Sequence, residues 1–264
     1  MGELKAELTD EINHKASVNL ARLAKEAKVK RFIFSSSCSI YGMSGEEYID
    51  ENGKLGPITE YAKSKVRSEK EICGLADDSF SPVFLRNATV YGISPMMRLD
   101  LVVNNLSAWA HTTGKIKIMS DGTPWRPLIH IQDICKAFIA TLKAPKELIH
   151  NQIFNVGKND DNYQIKDIAD TIKELMPKCS IEYTGEHGAD SRTYRVDFSK
   201  IKRVLGKYFE PDWNLRKGIE DILNAYKETN LTKDNFLGNK FIRLKRINYL
   251  IDNRYIDNKF YWIK

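Results

Sequence analysis

Short apolar runs alternate with longer amphipathic segments through the first two thirds of the chain. Runs rich in aromatic and β-branched residues predict buried strands at residues 31–35, 82–86 and 153–157. Runs that are apolar nearly throughout are typical of parallel strands with both faces covered. Apolar residues at helical spacing predict helices at residues 9–28, 60–75, 101–112 and 131–142. This alternation predicts an α/β fold around a parallel sheet.

Further elements are predicted in the rest of the chain. Two helices are predicted at residues 165–175 and 215–227, and two short strands at residues 115–119 and 181–183. We predict that residues 1–160 hold the sheet domain with interleaved substrate segments. Residues 161–264 would form mainly a small substrate lobe and a tail, over the carboxyl edge of the sheet, where α/β proteins form ligand crevices. Residues 36–57, with four glycines, are expected to be loop.

Composition narrows the class of protein. With 42% hydrophobic and 29% charged residues and a mild net charge of +6, the chain suits a soluble fold. No apolar run approaches the roughly 20 residues that span a bilayer, and the first residues have no apolar leader, so we expect no membrane partner. Four separated cysteines without a C-x-x-C pair predict reduced thiols in the cytoplasm. The basic tail at residues 233–264 is expected to be a solvated cap, not a nucleic-acid site. The histidines lack metal-ligand spacing.

A tyrosine and a lysine one helical turn apart form the most informative chemical pair. Tyr61 and Lys65, at i and i+4 of a predicted helix, share a face, so their polar ends can meet. A free phenol titrates near pH 10 and is a poor base at neutrality. A neighbouring ammonium favours the phenolate, which makes proton transfer feasible near neutrality. Ser37, after the first predicted strand, could hold the reacting oxygen. The trio suits removing the proton of an alcohol while a hydride leaves for a nicotinamide.

Five blocks of sequence, in order, resemble one family of enzymes. They are F-I-F-S-S-S-C-S-I-Y-G (32–42), Y-x-x-x-K (61–65), L-R-N-A-T-V-Y-G (85–92), W-R-P-L-I-H-I-Q-D-I (125–134) and F-N-V-G (154–157). The set resembles extended short-chain dehydrogenases/reductases and, within these, the nucleotide-sugar epimerase/dehydratase family that includes UDP-galactose 4-epimerase. The resemblance implies a Rossmann-like sheet, NAD as cofactor with NADP as the alternative, and a nucleotide-diphosphate sugar as substrate.

One part of the family pattern has no counterpart here. The family opens with a strand, a G-x-x-G-x-x-G turn and a helix whose backbone amides hold the dinucleotide pyrophosphate. No such triplet occurs in this sequence. The resemblance places Asn13 in the helix before the fifth family strand, so the N-terminal strands are missing and residues 31–35 would lie at a sheet edge. We hypothesise a truncated product or a partial gene model. The rival hypothesis is a split enzyme whose other half is a separate chain.

The resemblance also implies roles for individual residues. Ser37, Tyr61 and Lys65 would be catalytic. The cofactor would be held by Asn13, Ser35, Tyr61, Lys65 and Asn87. The substrate would be held by Ser37, Thr89, Asn105, Lys117, Met119, Arg126 and Arg192. The two arginines suit its diphosphate because a guanidinium forms forked hydrogen bonds.

The residues after the active-site serine distinguish activities within the family. In sugar 4,6-dehydratases an Asp-Glu pair follows the Ser/Thr and supplies acid and base for eliminating water. Cys38 and Ser39 stand there in this chain, with Cys38 expected to be a packing residue. The departure favours epimerisation over dehydration. The alternatives are an NADP-dependent ketosugar reductase and a non-catalytic sugar-nucleotide binder. By analogy we expect a homodimer through two helices per subunit, at about residues 13–28 and 61–75. The apolar setting of His130 just before a predicted helix indicates that it caps that helix.

Overall fold

The computed structural model of the chain describes residues 5–185 and 192–263, with the backbone alone for residues 44–46. The strands of these residues are β1 (Arg31–Ser37), β2 (Met43–Ile49), β3 (Ser81–Asn87), β4 (Thr89–Tyr91), β5 (Lys115–Ile118), β6 (Trp125–His130), β7 (Gln152–Val156), β8 (Asn162–Gln164), β9 (Ser180–Tyr183) and β10 (Thr193–Val196). The helices are α1 (Ala6–Asp10), α2 (Ala16–Glu26), α3 (Glu60–Cys73), α4 (Val102–Thr113), α5 (Ile131–Lys143), α6 (Lys146–Ile149), α7 (Ile165–Leu175), α8 (Ser199–Leu205), α9 (Leu215–Glu228), α10 (Lys233–Leu237) and α11 (Arg243–Asp252). A π-helical turn, Glu11–Lys15, joins α1 to α2, and 3₁₀ turns lie at Cys38–Tyr41 and Asn159–Asp161.

The central sheet is parallel and confirms the predicted α/β fold. Its order is β1–β3–β7, with Phe34 opposite Phe84 and Phe84 opposite Ile153. Every residue of β3 is buried, which is why its sequence is apolar nearly throughout. All three predicted strands are present, each within two residues of its predicted bounds.

Helices cover both faces of this sheet. On one face, α2 and α3 pack against Phe34 and Phe84 through buried side chains that include Val18, Ala21 and Ile72. On the other face, Leu85 joins a cluster with small α5 residues, among them Ala137 and Ala140. The apolar residues of the first predicted helix do not all face the core. Leu20 and Leu23 are 59% and 52% exposed, because the buried face is the one that carries Val18 and Ala21.

The prediction that residues 36–57 form a loop is wrong. They contain the end of β1, a 3₁₀ turn and all of β2, which pairs in parallel with β10. The sequence of β2 gives no strand signal, since it has Gly45 and two glutamates where a strand would alternate. Pairing with a strand about 150 residues away supplies the order that the local sequence lacks.

Smaller sheets and the remaining helices form a second packed region. The sheets have the orders β4–β6–β8 and β5–β9, and α4, α7 and α9 pack on them through an apolar cluster. The tail is attached by Phe236, which is buried and meets the edge of Trp109 at 5.2 Å between ring centroids. The domain division at residue 160 stays a prediction. Among residues 5–185 and 192–263, no helix combines the length and apolar character needed to cross a bilayer.

Candidate active site

Ser37 and Tyr61 lie together at the carboxyl end of the central sheet. Ser37 is the last residue of β1, and Tyr61 is in the first turn of α3, which Thr59 caps by accepting the Ala62 N–H at 3.2 Å. Ser37 lies close enough to the Tyr61 hydroxyl to lower the pKa of the phenol. Ser37 Oγ also donates to Ser39 Oγ at 2.9 Å and accepts the Ser39 N–H at 3.2 Å. The serine is therefore held in place by the 3₁₀ turn that follows it.

Lys65 shares the Tyr61 face of α3, but its ammonium is directed to the strand. Its Nζ lies 5.7 Å from the centroid of the Tyr61 ring and 4.7 Å from that of Phe34. It donates to the Ser35 carbonyl at 2.8 Å. Burial lowers the pKa of Lys65, and nearby Glu69 opposes this. The expected juxtaposition of Tyr61, Lys65 and Ser37 is present, and their catalytic roles stay predictions.

The charge on the Tyr61 phenol depends on its burial, on Ser37 and on two arginines, of which Arg98 was not predicted. Burial raises the pKa of Tyr61, whereas the Ser37 hydroxyl and the guanidinium groups of Arg98 and Arg192 lower it in part. The sequence predicts that Lys65 supplies this lowering. The Lys65 ammonium is instead hydrogen-bonded to the Ser35 carbonyl and partly buried. The two arginines, and not Lys65, therefore lower the pKa of Tyr61.

Arg98 is a site residue that sequence reasoning missed. Its guanidinium forms two hydrogen bonds with Asp100, Nε to Oδ1 at 3.0 Å and Nη2 to Oδ2 at 2.7 Å. The loop is fixed by α4, because Asn104 donates to the Arg98 carbonyl at 3.1 Å and Asn105 to the Leu99 carbonyl at 2.7 Å. Nothing in the local pattern marks Arg98, since it lies in a loop and its neighbour Tyr61 comes from another element.

The residues predicted to hold the cofactor form two groups. Ser35 and Asn87 adjoin at the strand ends, where Asn87 Nδ2 donates to Ser35 Oγ at 2.9 Å. Asn87 Oδ1 is buried without a hydrogen-bond partner in the described structure. Asn13 lies in the π-helical turn, half-buried, and its carbonyl accepts Ser68 Oγ of α3 at 2.9 Å.

These residues fit one end of a nicotinamide dinucleotide. The orphaned Asn87 oxygen suits a donor such as a carboxamide, and the Lys65 ammonium lies beside it at the same sheet edge. The other end of the dinucleotide is not provided for. A pyrophosphate needs a glycine-rich turn that opens a helix, and the sequence contains no G-x-x-G-x-x-G.

The predicted diphosphate arginines are brought together across 66 residues of sequence. Arg126 lies in β6, is buried, and donates from Nη1 to the Arg192 carbonyl and, at 2.8 Å, to that of Trp125. Arg192 also acts electrostatically on Tyr61, so the pair adjoins the Ser37–Tyr61 site. Thr89 begins β4 directly after the Asn87 strand end and is half-buried. The side-chain amide of Asn105 donates a hydrogen bond to the Leu99 carbonyl.

The predicted nucleobase residues lie at β5. Lys117 is in that strand, with its Nζ 4.7 Å from the centroid of Trp109. Met119 follows the strand and is 49% exposed, and Thr184 approaches its sulfur at 3.8 Å. Their contact with a nucleobase stays a prediction.

Two residues have the structural, non-catalytic roles that were expected of them. Cys38 is fully buried, burial raises its pKa, and its thiol donates to the Arg86 carbonyl at 3.1 Å, as expected of a packing residue. His130 caps α5, since its Nδ1 accepts the Gln132 N–H at 3.4 Å, and its ring stacks on Trp213 at 3.8 Å.

Relatives among curated proteins have nucleotide-sugar activities. UDP-glucuronate 4-epimerase of Thermodesulfobacterium geofontis is 28% identical over 223 residues, covering 82% of this chain and 65% of that protein. Human dTDP-D-glucose 4,6-dehydratase is 26% identical over 214 residues, covering 79% of this chain and 60% of that protein. The chain thus spans less than two thirds of the length of these relatives.

Solved structures share the fold. UDP-glucose 4-epimerase of Thermotoga maritima, solved with UDP-glucose, superposes with a TM-score of 0.77 at 22% identity, covering 87% of this chain and 74% of that one. UDP-glucuronic acid 4-epimerase of Bacillus cereus, solved with UDP-glucuronic acid and NAD, gives a TM-score of 0.71 at 24% identity, covering 82% and 68%. The family model described as "NAD dependent epimerase/dehydratase family" matches residues 3–157, more than half of the chain. With its parallel Rossmann-like sheet and its five ordered sequence blocks, the chain belongs to the NAD-dependent epimerase/dehydratase family.

Proposed function

We propose that the chain is the substrate-binding and proton-transferring part of an NAD-dependent epimerase of nucleotide-activated sugars. The observation that carries this proposal is the position of Tyr61 beside Ser37, with Lys65 one helical turn away on the same face. A phenol beside a serine hydroxyl can bind a sugar hydroxyl and take its proton. The curated relatives, which include two kinds of sugar-nucleotide enzyme, support the substrate class.

Each group has a distinct task in the proposed reaction. Tyr61 accepts the proton of a ring hydroxyl, and Ser37, oriented by Ser39, holds the same oxygen. Arg98 and Arg192 favour the phenolate that forms before this transfer. NAD, when bound, supplies hydride uptake and return at the ring carbon. Lys65 would hold the nicotinamide ribose.

Epimerisation is favoured over dehydration by the residues after Ser37. Eliminating water needs an acid and a base beyond the tyrosine. Cys38 points into the core, and Ser39 is 5% exposed and bonded to Ser37. Neither side chain can replace a carboxylate pair, although dehydratases are among the relatives.

Product analysis tests the proposal. The purified chain is incubated with NAD and a panel of UDP- and dTDP-sugars, and the epimers are separated by chromatography and identified by NMR. Conversion in both directions that Tyr61→Phe abolishes supports the epimerase. One-way consumption of NADPH would instead establish the ketosugar reductase. Thermal stabilisation by UDP or dTDP with no response to NAD and no product would establish a non-catalytic sugar-nucleotide binder.

We also propose a homodimer in the cytoplasm. The first helical stretch exposes Ile12, Leu20 and Leu23 at 60%, 59% and 52%, an apolar set that a second copy could cover. All four cysteines are free and two of them, Cys73 and Cys135, are exposed, which suits a reducing compartment. Light scattering after gel filtration should give twice the mass of one chain, and the Leu20→Glu variant should give the mass of a single chain. An unchanged mass in the variant would move the interface elsewhere.

A further inference from the structure

The tail at residues 233–264 carries most of the net positive charge of the chain. It contains eight lysines and arginines against three aspartates and no glutamate, and so accounts for five of the six net positive charges. The seven of these cations that the structure describes are all exposed. A positive field concentrated on one segment attracts anionic partners to that segment.

Helix α11, within this tail, has an apolar stripe that the protein does not bury. Leu244, Ile247 and Ile251 recur at helical spacing, yet no residue of α11, all of which the structure describes, is buried. None of these three side chains joins an apolar cluster of the described residues. A helix of ten residues is marginal by itself and is normally stabilised by packing of its apolar face. The stripe is therefore available to a partner.

A short hairpin after α11 adds exposed aromatic side chains. Ile256 and Trp262 form a β-bridge that brings the two arms of the hairpin together. Trp262 and Tyr261 are 71% and 70% exposed, and Ile263 and Tyr255 are exposed by about half. The other three tryptophans of the chain are half-buried. Tryptophan and tyrosine combine an apolar ring with a polar group, which suits a boundary between water and an apolar phase.

Ring contacts join the hairpin to α11 and bring cations beside both. The rings of Tyr249, on α11, and Tyr255 are 6.3 Å apart between centroids. The Arg246 guanidinium lies 5.3 Å from the centroid of Tyr249, and the Lys5 ammonium lies 4.4 Å from that of Phe260. Helix α11 and residues 253–263 thus form one basic and aromatic surface, the tail surface.

The chemistry of the tail surface matches an anionic lipid bilayer better than other polyanions. Lysine and arginine are attracted to anionic headgroups, while tryptophan, tyrosine and an apolar helix stripe lie at the boundary with the acyl chains. A nucleic acid would satisfy the cations but would leave the α11 stripe and Ile263 in water. A second copy of the chain would place like charges opposite each other.

We infer that the tail surface docks on the anionic headgroups of a lipid bilayer without crossing it. The expectation of no membrane partner rested on the lack of an apolar run long enough to span a bilayer, and a peripheral contact needs no such run. The inference goes beyond the proposed function and does not depend on it, since Ser37, Tyr61 and Lys65 take no part in the contact.

Sedimentation with vesicles tests the inference on the full chain. The chain is mixed with vesicles of phosphatidylcholine alone and with vesicles in which about a third of the lipid is phosphatidylglycerol. Binding to the anionic vesicles should be at least about tenfold tighter and should weaken as NaCl is added, because salt screens the charges. Equal binding to both kinds of vesicle, or binding to neither, would overturn the inference. So would tighter binding to a single-stranded oligonucleotide than to the anionic vesicles, which would assign the surface to nucleic acid.

Matched double variants locate the contact. Arg246→Glu with Lys259→Glu should weaken binding to the anionic vesicles by about tenfold or more. Lys178→Glu with Lys207→Glu makes the same change of charge at exposed positions outside the tail and should weaken it by less than about threefold. Equal losses in the two would contradict the tail surface, since net charge alone would then drive adsorption. A homodimer that the tail variant dissociates would also contradict it, because a second copy would then cover the surface.

Quenching of tryptophan fluorescence tests whether the aromatic rings enter the bilayer boundary. Anionic vesicles with bromine-labelled acyl chains should quench part of the emission, because exposed Trp262 reaches the lipid. Trp262→Phe should remove that quenching while vesicle binding stays within about threefold. Bound protein without quenching would overturn the aromatic part of the inference. Sugar turnover plays no part in these readouts, so they fail or succeed independently of the epimerase proposal.

Discussion

A buried ion pair beneath the candidate site offers the sharpest test of how the site is held. Arg86 of β3 and Glu69 of α3 are 4% and 7% exposed at their side chains. The guanidinium donates to the carboxylate from Nε at 3.0 Å and from Nη2 at 2.7 Å. Glu69 lies two turns after Tyr61 on α3, and Arg86 is opposite Ser36 in the strand register. The pair therefore fixes the helix of the tyrosine to the strands that carry Ser37.

Glu69→Gln should be severely destabilising. It leaves a buried guanidinium without its counter-charge, for which the expected loss is about 3–5 kcal/mol of unfolding free energy. With a urea m-value of about 3 kcal/mol/M, the unfolding midpoint falls by about 1–1.7 M. Replacing both partners, as in Glu69→Leu with Arg86→Met, removes the stranded charge and should recover part of this loss.

Urea unfolding followed by circular dichroism measures the effect. The control is Glu174→Gln, which breaks an exposed pair with Arg216 and should cost less than about 1 kcal/mol. A loss in Glu69→Gln as small as in the control would refute the argument that this pair is desolvated. A double variant less stable than the single one would show that Arg86 acts mainly through its bonds to Tyr41 and the Glu51 carbonyl.

Three further predictions concern the site and the fold. Tyr61→Phe should reduce epimer formation by about 10²–10⁴ while UDP-sugar affinity by calorimetry stays within about twofold; unchanged turnover would remove the phenol from the mechanism. Burial raises the pKa of Asp161 to about 6. The stability this carboxyl contributes is thus full below about pH 3.9 and is lost as the pH rises through 6, so Asp161→Asn should gain about 3 kcal/mol at pH 7 in urea unfolding; equal pH slopes in both proteins would contradict this. His130→Ala should cost about 2 kcal/mol through the lost cap and the lost stacking on Trp213, seen as a lower Tm, whereas an unchanged Tm would mean that neither contact stabilises the fold.

The parts of the fold that the sequence predicts are those with a local signal. β1, β3 and β7 are apolar runs, and α7 begins and ends where its apolar spacing does. β2 carries no such signal, and the alternation in β10 spans only four residues, so their order comes from pairing with each other across the chain. The exposed position of Leu20 is also invisible locally, because spacing shows that a face is apolar and not what covers it.

In the candidate site, too, only the residues with a local sequence signal could be predicted. Ser37, Tyr61 and Lys65 could be named because each belongs to a block with a fixed order of residue types. Arg98 could not, since its effect on Tyr61 depends on a loop that Asn104 and Asn105 hold in place. The direction in which Lys65 points was equally hidden, because it depends on the Ser35 carbonyl of a different strand.

The strand order of the central sheet has a consequence for how the chain folds. Phe34 must find Phe84, 50 residues later, and Leu85 must find Phe154, 69 residues later. Contacts so distant in sequence close large loops before they gain any pairing, which makes folding slow. Until β7 arrives, β3 presents apolar side chains and unpaired backbone on a nascent chain, the condition under which intermediates aggregate. Refolding yield should therefore fall with protein concentration, and production in cells should respond to chaperones.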